Sequence, residues 1–369
     1  MSDVSPASSV SAGSAGRRDA SPVSFFEFWP GFIFYAPVAL FWLFQSIRHR
    51  SVTLPALTNP RIEAGGICGE SKNDILDLCG PEARRWIAPY VGITTPAHHG
   101  GDLAMAEAAM RQAGLAYPVV AKPDMSCNGA GVRLVENDAA LAAYLAEFPR
   151  ATRLQIQALV PHEGEAGLFY IRDPGAARGR ITSITLKYAP VVIGDGRSRI
   201  RDLIGVDARL NAVADLLLAK LGAGAARIPE AGERVRLVFV GNHCRGSTFK
   251  DGRHLITPEL TDRIDRIARD IPDFHFGRFD LRYTSANALR RGEGFSIIEV
   301  NGAGSEATHI WDPQTTIREA YRAQFFHYGA AFRIGAAMRA QGVPRYGTLR
   351  LLRAWRRQKA LMALYPTND

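Results

Sequence analysis

HFGRFDLRY at 275–283 and FSIIEVNGAGS at 295–305 are the two stretches that decide the fold. In the first, Phe279 and Leu281 alternate with Arg278, Asp280 and Arg282, the two-residue period of a strand with one buried face. In the second, Phe295–Val300 is apolar and β-branched. The run between them, TSANALRRGEG, is polar and glycine-bearing, so the pair reads as two strands joined by a long hairpin connection. Glu299 and Asn301 are two apart and share a face. Pairing the strands brings them to Asp280, with Arg278 alongside. Two carboxylates and an amide oxygen are hard ligands, suited to Mg²⁺ carrying a nucleotide phosphate. A solvated strand edge would use the same residue types singly. The Gly302-Ala303-Gly304 turn that follows is a candidate place for a substrate carboxylate to meet backbone N–H groups.

A second informative stretch is YPVVAKPDMSCNGAGVRL at 117–134. A short buried strand ends on Lys122, and Pro123 stops it. Ser126, Gly129 and Gly131 form a flexible loop that could lay backbone N–H groups over outer phosphates, with Lys122 as a point charge. A Gly-rich hairpin with an exposed lysine is the alternative. Downstream, LQIQALVPHEGEAGLFYIR at 154–172 reads as strand, kink, strand. Gln157, Ala158, Leu159 and Val160 could offer an adenine ring a flat pocket. Glu165, or Glu163, could reach ribose hydroxyls. ITSITLKYAPVVI at 181–193 adds two strands, with Lys187 on the first. A strand over 234–240 leads to a Gly-flanked loop with Asn242 and Arg245. Helices are expected at 101–114, 137–148, 199–204, 258–271, 317–340 and 348–364. GGICGESK at 65–72 lacks the Walker pattern and reads better as a turn before a helix, with Ser71 as N-cap and Asp74 at the third position.

Composition limits the alternatives. The 369 residues are 47% hydrophobic and 22% charged, an ordinary globular make-up with enough length for two or three lobes. Four cysteines (Cys68, Cys79, Cys127, Cys244) form no close pair, which fits a reducing compartment. Of the net charge of +9, +5 lies beyond Gln341, so the body lacks the basic stripe of a nucleic-acid-binding protein. Residues 1–24 are mainly Ser, Ala, Gly and Pro and are expected to be disordered. Phe25–Ile47 is different: ten of its 23 residues are aromatic and only Glu27 is charged. It suits a membrane-spanning or re-entrant helix, a helix lying in the bilayer interface, or a helix packed on the protein itself. The basic amphipathic pattern at 348–364 suits either a solvated helix or attachment to an anionic bilayer surface.

The order Lys-Pro with a Gly/Ser loop, a hinge with Glu, a second strand Lys, Arg-x-Asp, then Glu-x-Asn-Gly resembles the ATP-grasp superfamily, over roughly 116–335. The closer likeness is to carboxylate–amine ligases such as D-alanine–D-alanine ligase. The stretches 191–204 and 232–247 look more like cyanophycin synthetase and the bifunctional glutathione synthetases. The resemblance implies an α/β (α+β) fold with two lobes clamping ATP. Lys122 and Lys187 would contact the phosphates. Ser126, Gly129 and Gly131 would close over them. Gln157–Val160 would hold adenine, and Glu165 the ribose. Asp280, Glu299 and Asn301 would hold two Mg²⁺ ions, with Mn²⁺ an acceptable substitute, and Arg278, Arg245 and Asn242 would stabilise the transferring phosphoryl group. It also implies a small-molecule carboxylate and an amine as partners, no nucleic acid, and a cytoplasmic location, either free or attached to the membrane's cytoplasmic face through 25–50 and 348–364. A kinase of the same fold and a nucleotide-binding regulatory protein are the alternatives. The expected divisions are 1–24, 25–50, a short N-terminal region at 51–115, the ATP-grasp domain at 116–335 and a basic C-terminal helix at 336–369. Only about 60 residues stand where the family usually has a βαβ domain.

Overall fold

The computed structural model describes residues 24–27, 29–98, 100–239, 241 and 246–367. Expectations for residues 1–23, Asn242 and Arg245 lie outside them. In chain order the elements are α1 (Gly31–His49), α2 (Lys72–Asp77), α3 (Pro81–Arg84), β1 (Tyr90–Thr94), α4 (Asp102–Gln112), β2 (Val119–Pro123), β3 (Arg133–Val135), α5 (Asp138–Glu147), β4 (Arg153–Ala158), β5 (Gly164–Ile171), β6 (Arg180–Tyr188) and β7 (Val191–Ile193). There follow α6 (Ile200–Val206), α7 (Ala208–Asn211), α8 (Ala214–Leu221), β8 (Arg234–Arg236), β9 (Thr248–Asp251), α9 (Pro258–Arg269), β10 (Phe276–Tyr283), α10 (Ala286–Arg290), β11 (Phe295–Asn301), α11 (Ile317–Ala340) and α12 (Thr348–Met362).

Two antiparallel sheets make a mixed α/β molecule. The smaller has the order β1-β4-β2-β3, the larger β11-β10-β5-β6-β9, and β7-β8 form a separate ribbon. In the larger sheet, Phe279 and Leu281 join Ala166, Leu168 and Tyr170 beneath α9, whose Leu260, Ile264 and Ile267 recur at helical spacing. On the opposite face, Phe169, Ile171 and Phe276 are covered by α11 and residues 54–57. The rest of that face is charged. The smaller sheet packs Val119, Ala121, Leu154 and Ile156 on α4 and α5 through Met110, Leu141 and Tyr144. The sheets meet at β11, where the N–H of Ile297 donates to Trp86 O and the N–H of Ala88 to Ile297 O.

Of the N-terminal region, β1 and α4 belong to the smaller lobe, and the part before β1 contains no strand among the described residues. It is a strap, held by Asn59, which is 1% exposed. The Asn59 amide donates to Gly65 O and Phe276 O and accepts from the N–H groups of His275 and Phe276. All of its hydrogen-bonding capacity is used, as a buried amide requires. The strap then lies against the turn after β11. A side chain on Gly302 would meet Gly66 Cα at 2.7 Å, so only glycine allows this approach.

Several expected boundaries shift. The 284–294 connection contains α10, capped by Ser285, and is more than a turn. The strand expected over 234–240 ends at Arg236, whose guanidinium folds onto the carbonyls of Val238 (2.8 Å) and Phe239 (2.6 Å). The division at 335/336 falls inside α11, which runs unbroken to Ala340.

The aromatic N-terminal segment docks on the protein. Phe34 stacks on Tyr321, Phe41 on Phe325, and Trp42 meets Phe332 edge-on. Glu27, the one charge in the stretch, is buried against the Arg209 guanidinium, which also donates to the carbonyls of Gly246 and Ser247. Burial pushes the Glu27 carboxyl above its usual range despite that partner. Glu27→Ala would take the only charged partner shown for the buried Arg209 guanidinium among the described residues, so a loss of about 3–5 kcal/mol is expected in urea unfolding. A loss below about 1 kcal/mol would show that the clasp contributes little.

Candidate functional site

The charged face of the larger sheet lies beside the smaller lobe, whose Lys122 reaches Ile298 O on β11. Across β10 and β11 Asp280 pairs with Glu299 and Arg278 with Asn301, and the register shifts between Asp280 and Leu281. On the other side of β10, Asp280 lies opposite Gly167 and Arg282 opposite Glu165, which in turn pairs with Lys187. One sheet face therefore gathers Glu165, Lys187, Arg278, Asp280, Arg282 and Asn301. A Cβ on Gly167 would come within 2.9 Å of Asp280 Oδ1 and 3.1 Å of Arg278 Cδ, so the missing side chain makes room for the cluster.

Asp280 is 3% exposed and is its hub. Arg278 donates to both of its oxygens, at 3.0 Å through Nε and 2.9 Å through Nη2. Lys187 Nζ lies 2.9 Å from Oδ1, and Asn301 Nδ2 donates to Oδ2 at 3.1 Å. Burial alone would raise the carboxyl, but Arg278 and Lys187 outweigh it and hold it at about 2. Lys187 also lies 3.4 Å from Glu165 Oε1, and Arg282 lies 3.5 Å from Glu165 Oε2. Glu163, the second choice for the ribose, is exposed, whereas Glu165 faces the cluster.

The smaller lobe supplies Lys122, with Nζ 2.7 Å from Gln157 Oε1 and 3.0 Å from Ile298 O. Burial, with neighbouring Lys72, lowers it to about 8 despite Glu299 and Asp280. Gln157 is committed to Lys122 and to Ala88 O, and the N–H of Ala158 to Pro89 O. Of the stretch 157–160, Ala158 and Leu159 are half-buried, Gln157 and Val160 buried. Gly129 and Gly131 adopt left-handed φ of 70° and 71°, which favours glycine. The loop they belong to was expected to be flexible, yet the end of the chain holds it. Tyr365 donates to Met125 O at 2.9 Å, and Met362 Sδ lies 3.6 Å from Cys127 Sγ.

Two site residues escaped the sequence reading. Lys72 Nζ reaches Glu299 Oε1 at 3.0 Å and Ser126 O at 2.8 Å. Glu70 is half-buried beside this pair, with its Oε2 covered. Burial pushes its carboxyl up, and Oε2 has no hydrogen-bond partner among the described residues. Both come from GGICGESK. The local reading holds, since Ser71 Oγ accepts from the N–H of Asp74 at 3.0 Å. It concealed that the helix start aims Lys72 into the cleft. The Gly302–Gly304 turn is also corrected: the N–H groups of Ala303 and Gly304 donate to Gly65 O (3.0 Å) and Gly66 O (2.6 Å), so they are taken by the strap rather than turned to a substrate. His275 and His309 are buried, and His275 Nδ1 is held by Arg172 O.

The donor set suits a hard cation by chemistry, and Glu70 Oε2 adds an uncommitted oxygen beside Glu299. Lysine and arginine currently hold Asp280 and Glu299, and no three His, Cys, Asp or Glu among the described residues converge on one point.

No protein-family model and no curated protein matches this sequence. Many solved structures are loosely similar, three of them as follows. The bifunctional glutathione synthetase from Pasteurella multocida is 16% identical over 66% of this chain and 35% of that one, with TM-score 0.36. The D-Ala:D-Ser ligase from Enterococcus faecalis is 16% identical over 72% and 64%, with TM-score 0.37. The D-alanine–D-alanine ligase from Bacillus anthracis is 12% identical over 76% and 72%, with TM-score 0.40. The chain thus spans about a third of the first and under two thirds of the second.

The Asp280 cluster has a pH signature. Its carboxyl is held at about 2, below the ordinary 3.8, so its stabilising effect is complete above pH 3.8 and is lost as pH falls toward 2. Asp280→Asn should cost about 3–5 kcal/mol at neutral pH, by removing the carboxylate between Arg278 and Lys187, and should flatten this acid limb of the unfolding curve. An unchanged acid limb would place the titrating group elsewhere.

Proposed function

We propose that this chain is an ATP-dependent carboxylate–amine ligase of the ATP-grasp type. The observation that carries the reading is the convergence of five cationic side chains, Lys72, Lys122, Lys187, Arg278 and Arg282, on one cleft between two sheets, around the cross-strand carboxylates Asp280 and Glu299. Such a set suits a polyanion held with its compensating metal. Isolated buried cations would be expensive, and here each has a carboxylate or carbonyl partner. A triphosphate would exchange those partners for its own oxygens.

In this reading Lys122 and Lys187 approach the phosphates from opposite lobes, and Lys72 leaves Glu299 to join them. Ala158 and Leu159 border the adenine, and Glu165 accepts from the ribose hydroxyls. Asp280, Glu299 and Asn301 would hold Mg²⁺, with Glu70 as an added oxygen, and the ion's part is to neutralise phosphate charge. Arg278, fixed by Asp280 and by Glu306 O at 2.9 Å, is placed to steady the transferring phosphoryl group.

The chemistry needs no protein nucleophile. A carboxylate is a poor acyl donor, because oxide would have to leave. Its oxygen attacks the γ-phosphorus of ATP, ADP departs, and an acyl phosphate results. An amine then attacks the carbonyl carbon, phosphate leaves with the C–O bond's electrons, and the amine's proton passes to solvent. The protein positions the reactants and neutralises charge.

The deciding experiment is a screen of carboxylates paired with amines for stimulated ADP release, followed by product analysis. The expected result is an amide with ADP and free phosphate in equal amounts. A stable phosphorylated product without free phosphate would make the protein a kinase, and no ATP turnover with any pair would exclude both.

A further inference from the structure

Helix α1 has two apolar faces, and only one is used. The buried face is Phe34, Val38 and Gln45, against α11. The opposite stripe, Phe32, Leu40, Leu43, Phe44 and Ile47, recurs at helical spacing and is exposed, at 79%, 68%, 56%, 57% and 69%. A helix on the surface of a globular protein turns polar residues outward. Here the polarity is inverted: the Gln45 amide and the Ser46 hydroxyl lie on the buried side and the outer stripe carries no polar group. Phe326 on α11 and Val52 just beyond α1 are exposed as well.

We infer that this face of the molecule seats in the interface of an anionic lipid bilayer, with α1 lying in the plane of the surface. The proposal is independent of the ligase reading. Three observations select the bilayer as occupant. First, α1 is fixed along its inner face by the ring contacts to α11 and at its start by the buried Glu27–Arg209 pair, so it is held alongside the body and is not left to cross a membrane. Second, the helices that carry the face are themselves basic, although Tyr35 donates to Glu306, and Arg333 and Arg350 pair with Asp173 and Glu63. The sequences of α1, α11 and α12 together contain a single carboxylate, Glu319, which is bound into its own helix cap by Thr316. Arg48 and Arg50 close α1, Arg318 and Arg322 are exposed on α11, and α12 follows with five further basic residues. A second copy of the chain would bring the same positive helices into contact, whereas lipid phosphates complement them. Third, residues 1–23 contain no aromatic residue, leucine or isoleucine to match the stripe.

The start of α12 extends this surface. Arg339 donates to His49 O and Thr53 to Tyr346 O, which ties the end of α1 to the end of α11 and the approach to α12. Leu349, Leu352 and Trp355 are exposed there among arginines. Apolar side chains inserted among headgroups, with arginines at phosphate level, is the pattern of a helix bound at an interface.

The test is flotation of the full chain with vesicles of equimolar phosphatidylcholine and phosphatidylglycerol, against phosphatidylcholine alone. The chain should float with the anionic vesicles, and less so as salt rises. Leu40→Glu with Phe44→Glu should weaken this at least about tenfold, with circular dichroism and melting unchanged since both side chains already face water. Arg318→Gln and Arg322→Gln should each weaken binding to the anionic vesicles by about fivefold, without affecting phosphatidylcholine. A wild-type chain that stays in the soluble fraction, or a double glutamate variant that floats as well as wild type, overturns the proposal. So does a stable dimer in light scattering that the glutamates dissociate, which would assign the face to a second copy.

Discussion

A carboxylate as buried as Asp280 cannot stand alone, since an unpaired charge there would cost several kcal/mol. It is held by Arg278, Lys187 and Asn301, from β10, β6 and β11, three strands of one sheet. Glu299, its cross-strand partner, is held by Lys72 from the N-terminal strap, and burial's upward push on its carboxyl is outweighed by Lys72 and Lys122. Ion pairing therefore specifies strand register, closes the strap over the sheet and brings the smaller lobe's Lys122 to the edge of β11. The same contacts that make the fold coherent assemble the cleft. Buried ion pairs of this kind contribute little net stability but penalise every arrangement that separates the partners.

The glycines complete that constraint. Gly167 leaves space under Asp280, and Gly66 and Gly302 let two backbones meet where side chains would collide. With the Asn59 amide at one end and the N–H groups of Ala303 and Gly304 at the other, the strap becomes part of the site's floor. The strap contributes a lysine and a glutamate to the site directly.

Much of this was legible in the sequence. Alternation over 276–283 and the two-residue spacing of Glu299 and Asn301 show which side chains share a face, but not the register shift that follows Asp280. Lys122 and Lys187 were readable as lysines on strands, though an exposed Lys122 on a Gly-rich hairpin stayed open. Lys72 and Glu70 were not: their partners are remote in sequence, and the local signals of GGICGESK concern its helix cap and its backbone approach to Gly302. The hold of Tyr365 on the 126–131 loop was equally invisible, since a lone tyrosine after a basic helix carries no pattern. For Phe25–Ile47, composition shows an apolar helix but not which side faces the body. Only the inward position of Gln45 and Ser46 decides that.

The central claim is that a nucleotide occupies the cleft between the sheets, and hydrogen–deuterium exchange with and without Mg-ATP tests it most directly. The account predicts slower exchange in two places: in 124–131, and in 157–165 where the lobes join. Wild-type exchange should be insensitive to ATP in α4 and α9, which lie behind their sheets. Unchanged exchange in both cleft segments at saturating Mg-ATP, or protection confined to another surface, would contradict it.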